Sequence, residues 1–175
     1  AVSLHPGGWW KGSGVALENA WRPEVAAVAQ LSGVTMVDVD YPLVPEASLP
    51  EVMSAVADAA AWARRQADWV GAWGYSSGGA LAVLCAQLFD ALALTFPHLD
   101  LTVLPDDVRA GVDEFPTALP PTFIQVASND TIAGRYEWAE ALAVRVTEYV
   151  SEHRVSTPKV ARQRVMDVAE FLKSV

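Results

Sequence analysis

The sequence predicts an α/β fold built on a mostly parallel sheet, and three observations carry that prediction. Short runs rich in apolar and β-branched residues alternate with stretches whose apolar residues recur every three or four positions. The connections between these runs are short, as in sheets whose strands are joined by covering helices. At 175 residues and 52% hydrophobic content, the chain is long enough for one domain with a single sizeable core.

Taken in order, "AVSL" (1–4) and "VTMVDVDY" (34–41) read as strands, as do "WVGAWGY" (69–75), "LALTF" (92–96) and "PTFIQVAS" (121–128). Helical spacing is found over 19–33, 49–67, 78–89, 135–146 and 158–173. Pro50 suits a first helical turn, and Glu51 complements the positive end of the same helix. Segment 97–121 holds Pro97, Pro105, Pro116, Pro120 and Pro121, and is expected to form an irregular loop or lid over the site. Repeats, low-complexity tracts and linker-like stretches are absent from the sequence.

The net charge of -9 and the lack of a Lys/Arg cluster argue against nucleic acid as a partner. A single cysteine, Cys85, permits no intrachain disulfide; it lies in the apolar stretch "GGALAVLCAQL" and is expected in the core. No run reaches the roughly 18 apolar residues of a membrane span. The N-terminus shows no basic signal-peptide region, so a cytoplasmic location is the expectation.

The most informative stretch is "WVGAWGYSSGGALAVL" (69–84). Gly74-Tyr75-Ser76-Ser77-Gly78 forms a G-x-S-x-G pattern where a strand gives way to a helix. In that context the serine occupies a strained turn, flanked by glycines because neighbouring backbone leaves no room for side chains. Ser76 is therefore the expected nucleophile. The alternative is a glycine-rich helix start with Ser76 as a cap.

A serine nucleophile needs a base, and the base needs an orienting acid. With this elbow the chain order is serine, acid, histidine. Of His5, His98 and His153, only His153 leaves room for a strand-end acid after Ser76. Asp130 follows the strand run 121–128 and is the expected acid; Asp106, Asp107, Asp113 and Glu114 are rivals without a strand feeding them. Donors for a tetrahedral oxyanion are expected from the Ser77 backbone N–H and from Gly7 and Gly8 in "HPGG" (5–8), where no Cβ keeps a ligand at a distance.

These motifs together resemble the hormone-sensitive-lipase-like branch of the α/β-hydrolase fold, which also includes arylformamidase-like enzymes. "HPGGWWKGS" resembles H-G-G-G-x-x-x-G-S, "DYPLVPEASLPE" (40–51) resembles D-Y-R-L-A-P-E, and "GYSSGGALA" resembles G-D-S-A-G-G-N-L-A. "ASND" is similar to the strand end that carries the acid, and "EHRVSTP" to the loop that carries the base. The resemblance implies an α/β-hydrolase fold, a mostly parallel sheet flanked by helices, with leading strands lacking and the cap short or missing from this chain. It also implies that Glu46 braces the oxyanion loop from behind. Departures are Pro6 for the first glycine, Pro42 for arginine, and Tyr75 where aspartate is frequent.

The expected activity is a carboxylesterase-type serine hydrolysis through an acyl-enzyme, with no metal or organic cofactor. Trp9 and Tyr75 are the expected substrate-binding residues. The Trp9-Trp10 pair either lines the site or packs beneath it as core. An aromatic site favours small or aromatic esters. An amidase, arylformamidase, thioesterase or acyltransferase would use the same residues, and a non-catalytic ligand-binding protein would more readily lose His153. The expected partner is a small-molecule ester or amide, with a homodimer also admitted.

Overall fold

The computed structural model describes residues 1–133 and 145–175. Among the described residues six strands form one sheet in the order β2-β1-β3-β4-β5-β6, and every pairing between them is parallel. They are β1 (Val2–Leu4), β2 (Val37–Val39), β3 (Gly71–Tyr75), β4 (Ala91–Thr95), β5 (Thr122–Ala127) and β6 (Arg145–Tyr149). The covering helices are α1 (Arg22–Ser32), α2 (Leu49–Arg64), α3 (Ser77–Leu84), the short α4 (Asp106–Arg109) and α5 (Pro158–Ser174).

The alternation of side chains along the strands splits the core into two layers. Leu92 and Leu94 of β4 and Ile124 of β5 face one way, into a cluster with Leu49, Val52 and Val56 of α2 and most of α3. Ala91, Ala93 and Phe123 face the other way, onto Val25 and Val28 of α1 and Val168, Phe171 and Leu172 of α5. Small alanines on that face leave room for Trp73, which is 1% exposed. Cys85 is buried in the first layer, and burial pushes its thiol up to about 12.

Helix boundaries follow local chemistry. Helix α2 starts at a capping box in which the Ser48 N–H and hydroxyl both donate to Glu51 Oε2, at 2.7 and 2.8 Å. These bonds hold the Glu51 carboxyl below its usual range. Helix α1 is preceded by a π-helical turn over Leu17–Trp21, which takes up the first three residues of the helix predicted over 19–33, and it ends at Gly33.

Two sequence expectations change at the sheet edges. The strand predicted over 34–41 shortens to Val37–Val39, an edge strand that is only half buried. The helix predicted over 135–146 does not reach its last two residues. Arg145 and Val146 open β6, which runs beside β5 with Phe123 opposite Arg145 and Ala127 opposite Tyr149. The rest of that prediction, 135–144, lies outside the described residues. The run "RVTEY" satisfies its backbone against β5 and buries only Tyr149, so pairing decides its state rather than apolar spacing. Segment 97–121 contributes Leu101, Leu104 and Val108 to the α2-side core.

Candidate active site

Ser76 stands between the last residue of β3 and the first of α3, at φ 55° and ψ -118°. Its neighbours force this turn. A Cβ on Gly78 would lie 2.1 Å from the Leu4 carbonyl oxygen, so only glycine lets the turn approach β1. The backbone around Ser76 is fully tied down: its N–H donates to Thr95 O at 2.9 Å, and its carbonyl accepts from Ala80 and His98.

His153 lies within hydrogen-bonding reach of Ser76 and of Asp130. Its Nδ1 is 2.8 Å from Asp130 Oδ2, and its Nε2 is 2.8 Å from Ser76 Oγ. A carboxylate oxygen accepts, so the ring proton belongs on Nδ1 and Nε2 accepts from the Ser76 hydroxyl. The His153 and Asp130 side chains are only 5% and 1% exposed. The other Asp130 oxygen accepts from the Ile132 and Ala133 N–H groups at 2.8 Å, which fixes the carboxylate. The loops carrying Asp130 and His153 are laced together by Ser128 N–H to Tyr149 O and Asn129 N–H to Ser151 O. None of the rivals Asp106, Asp107, Asp113 and Glu114 contacts the imidazole; Asp106 and Asp113 instead pair with Arg109.

The glycine loop follows β1. Gly7, at φ 152°, passes so close to the loop's return that a Cβ would lie 1.7 Å from Lys11 O. His5 is fully buried; its Nδ1 donates to Pro6 O at 3.0 Å, and its ring stacks on Tyr41 at 4.0 Å. Tyr41 Oη donates to the His5 carbonyl at 2.6 Å, and Val44 N–H donates to Trp9 O at 3.1 Å. Bracing thus comes from Tyr41 and Val44. Glu46, which the resemblance assigned to that task, is exposed. Burial lowers the affinity of His5 for a proton, partly offset by its bond to Pro6 and by Asp40. The Gly8 N–H donates to Ser77 Oγ at 3.0 Å.

A cavity of about 640 Å³ opens over Ser76 and His153, with Gly7, Gly8, Trp9 and Tyr75 in its wall. Both tryptophans of the pair line it, in different ways: Trp9 is 1% exposed and belongs to the core, while Trp10 is 42% exposed. Tyr75 packs its ring against His153 and donates its hydroxyl to the His153 carbonyl. Burial pushes the Tyr75 hydroxyl up to about 12, keeping it a donor.

The sequence reading did not assign Trp21, Glu24, His98 or Arg164 to this region. Trp21, Glu24 and His98 line the cavity. Arg164 lies behind the cavity wall, 4% exposed, with its guanidinium over the Tyr75 and Phe96 rings and 3.7 Å from Glu24. Burial raises the Glu24 carboxyl, partly offset by that guanidinium. No local pattern marks these residues; they come from the π-helical turn and α1, the loop after β4 and α5, which only the folded sheet brings together. Among the described residues no cluster of three or more His, Cys, Asp or Glu has metal-binding geometry. Among them, no helix is long and apolar enough to cross a membrane.

A parallel sheet with a strained serine between strand and helix, facing a glycine loop and a strand-end histidine, is the architecture of the α/β hydrolases. A family model described as alpha/beta hydrolase fold matches residues 1–116, and the chain belongs to that family. Its solved structural relatives include an esterase of Pyrobaculum calidifontis, with a TM-score of 0.77 and 23% identity. That match covers 99% of this chain and 75% of the other. Carboxyl esterase 2 of Tuber melanosporum aligns with a TM-score of 0.75 at 18% identity, over 99% and 77% of the two chains. A hormone-sensitive lipase from a metagenome library aligns at 0.76 and 18%, over the same shares. At these identities the likeness is one of fold. A search of curated proteins finds no match.

Proposed function

We propose that this protein is a carboxylesterase-type serine hydrolase in which Ser76, His153 and Asp130 act as nucleophile, base and orienting acid. The observation that carries the reading is the unbroken pair of 2.8 Å contacts from Asp130 through His153 to Ser76, at the floor of a cavity. In the first half-reaction Ser76 Oγ attacks the ester carbonyl carbon while His153 Nε2 takes its proton. The tetrahedral oxyanion is held by backbone N–H groups of the glycine loop and of Ser77. His153 returns the proton to the departing alcohol, leaving an acyl-enzyme. Water then attacks the acyl carbon, His153 takes its proton, and Ser76 is released with the carboxylic acid.

The aromatic wall of Trp9, Trp10, Trp21 and Tyr75 supports small or aromatic esters as substrates. The reading is tested with a nitrophenyl ester series. Acetyl and aromatic esters are expected to exceed long-chain esters in kcat/KM by at least about tenfold, a gap of about 1.4 kcal/mol. Equal turnover across the series would overturn the substrate assignment. N-formylkynurenine and acyl-thioesters in the same panel separate ester cleavage from the amidase and thioesterase chemistries. The esterase names of the structural neighbours agree with this reading.

A further inference from the structure

The Gly8 amide, expected from the sequence to face the oxyanion, is engaged elsewhere. Its N–H donates to Ser77 Oγ at 3.0 Å, and the Ser77 side chain is fully buried. The Tyr41 hydroxyl has one hydrogen, which it gives to the His5 carbonyl at 2.6 Å. An N–H can only donate, so Ser77 Oγ is the acceptor in the bond from Gly8.

We propose that the Ser77 hydroxyl withholds the Gly8 amide from the oxyanion, so that the resting hole works through the amides of Gly7 and Ser77. No hydrogen bond within the described residues engages the Gly7 amide. The Ser77 N–H belongs to the first turn of α3, where helix amides lack an intrahelical partner. Gly8 itself faces open space, since a Cβ there would meet nothing within 4 Å. The loop does not depend on Ser77 for its place. It is pinned before Gly8 by Tyr41 on the His5 carbonyl and after Gly8 by Val44 on the Trp9 carbonyl. Removing the Ser77 hydroxyl therefore frees a donor without freeing the loop. The residue that resembles alanine in the motif "GYSSGG" is thus a positioning residue, acting through Gly8.

This inference rests on the hydrolase reading, and the test separates the two. Wild type and Ser77→Ala are compared for labelling of Ser76 by a fluorophosphonate, for kcat and KM on a nitrophenyl acetate, and for inhibition by a phenylboronic acid. Releasing a donor from one neutral hydrogen bond is expected to raise kcat about 2- to 10-fold with KM unchanged. The boronic acid, which forms a tetrahedral adduct on Ser76, is expected to tighten by a similar factor. Ser77→Thr retains an acceptor and is expected to lack the gain. Labelling of both proteins with an unchanged or lower kcat in Ser77→Ala overturns this proposal alone. Failure of the wild type to label overturns the hydrolase reading, and this proposal with it.

Discussion

At the residue scale, the site is built from positions where one atom more would not fit. A methyl on Gly78 would press on the Leu4 carbonyl at 2.1 Å, so Gly78→Ala must push α3 away from β1. That movement carries Ser76 off His153. Gly78→Ala is expected to lose at least about a hundredfold in kcat/KM while fluorophosphonate labelling slows in parallel, because on the proposed mechanism the turn sets the near-attack placement of Ser76. His5 gives a prediction of a different kind. Its folded affinity for protons is lowered by burial, so between its unfolded value of about 6.5 and its lower folded value the unfolded chain binds more protons. Stability is complete above about pH 6.5 and falls as the pH drops below it. His5→Gln removes this contribution. The difference in denaturation midpoint between pH 7.5 and 5.5 is expected to be smaller in the variant than in wild type.

At the element scale, four adjacent strands are stitched across their faces by buried polar groups. Trp73 Nε1 of β3 donates to Thr95 Oγ1 of β4 at 3.0 Å, and Thr95 donates to Gln125 Oε1 of β5 at 2.7 Å. Gln125 Nε2 passes on to Tyr149 Oη of β6 and to the Arg164 carbonyl of α5. Thr95→Val keeps the shape and strands the indole N–H and the amide oxygen without a partner. The expected cost is about 1–3 kcal/mol in chemical denaturation, with Trp73 fluorescence as a second probe. The chain order of strands and helices was legible because most of them carry strong periodicity: Leu92 and Leu94 alternate with Ala91 and Ala93, and α2 announces itself with Ser48, Pro50 and Glu51. Where periodicity is weak the reading failed. The run Arg145–Tyr149 buries one residue of five, so its pattern could not distinguish an edge strand from the end of a helix.

At the scale of the whole molecule, the cavity is a product of topology. Gly7, Ser76, His98 and His153 follow the carboxyl ends of β1, β3, β4 and β6, and a parallel sheet delivers all of these ends to one side. That is why the G-x-S-x-G pattern for Ser76, the strand end for Asp130 and chain order for His153 single out residues that the structure brings within 2.8 Å contacts. Glu24 and Arg164 were not legible, because they enter the site from helices on the opposite layer and carry no motif. The engagement of Gly8 by Ser77 was likewise hidden, since it depends on the loop lying over the first turn of α3 rather than on either sequence.

Ser76, polarised by His153, is proposed to carry the acyl group between two half-reactions. Rapid mixing with p-nitrophenyl acetate tests it most directly. Wild type is expected to release a burst of nitrophenol close to one per protein molecule, followed by slower steady turnover. Ser76→Ala is expected to show no burst and to lose at least about 10⁴-fold in kcat, as when a member of such a unit is removed. A full burst or undiminished turnover in Ser76→Ala would contradict the account.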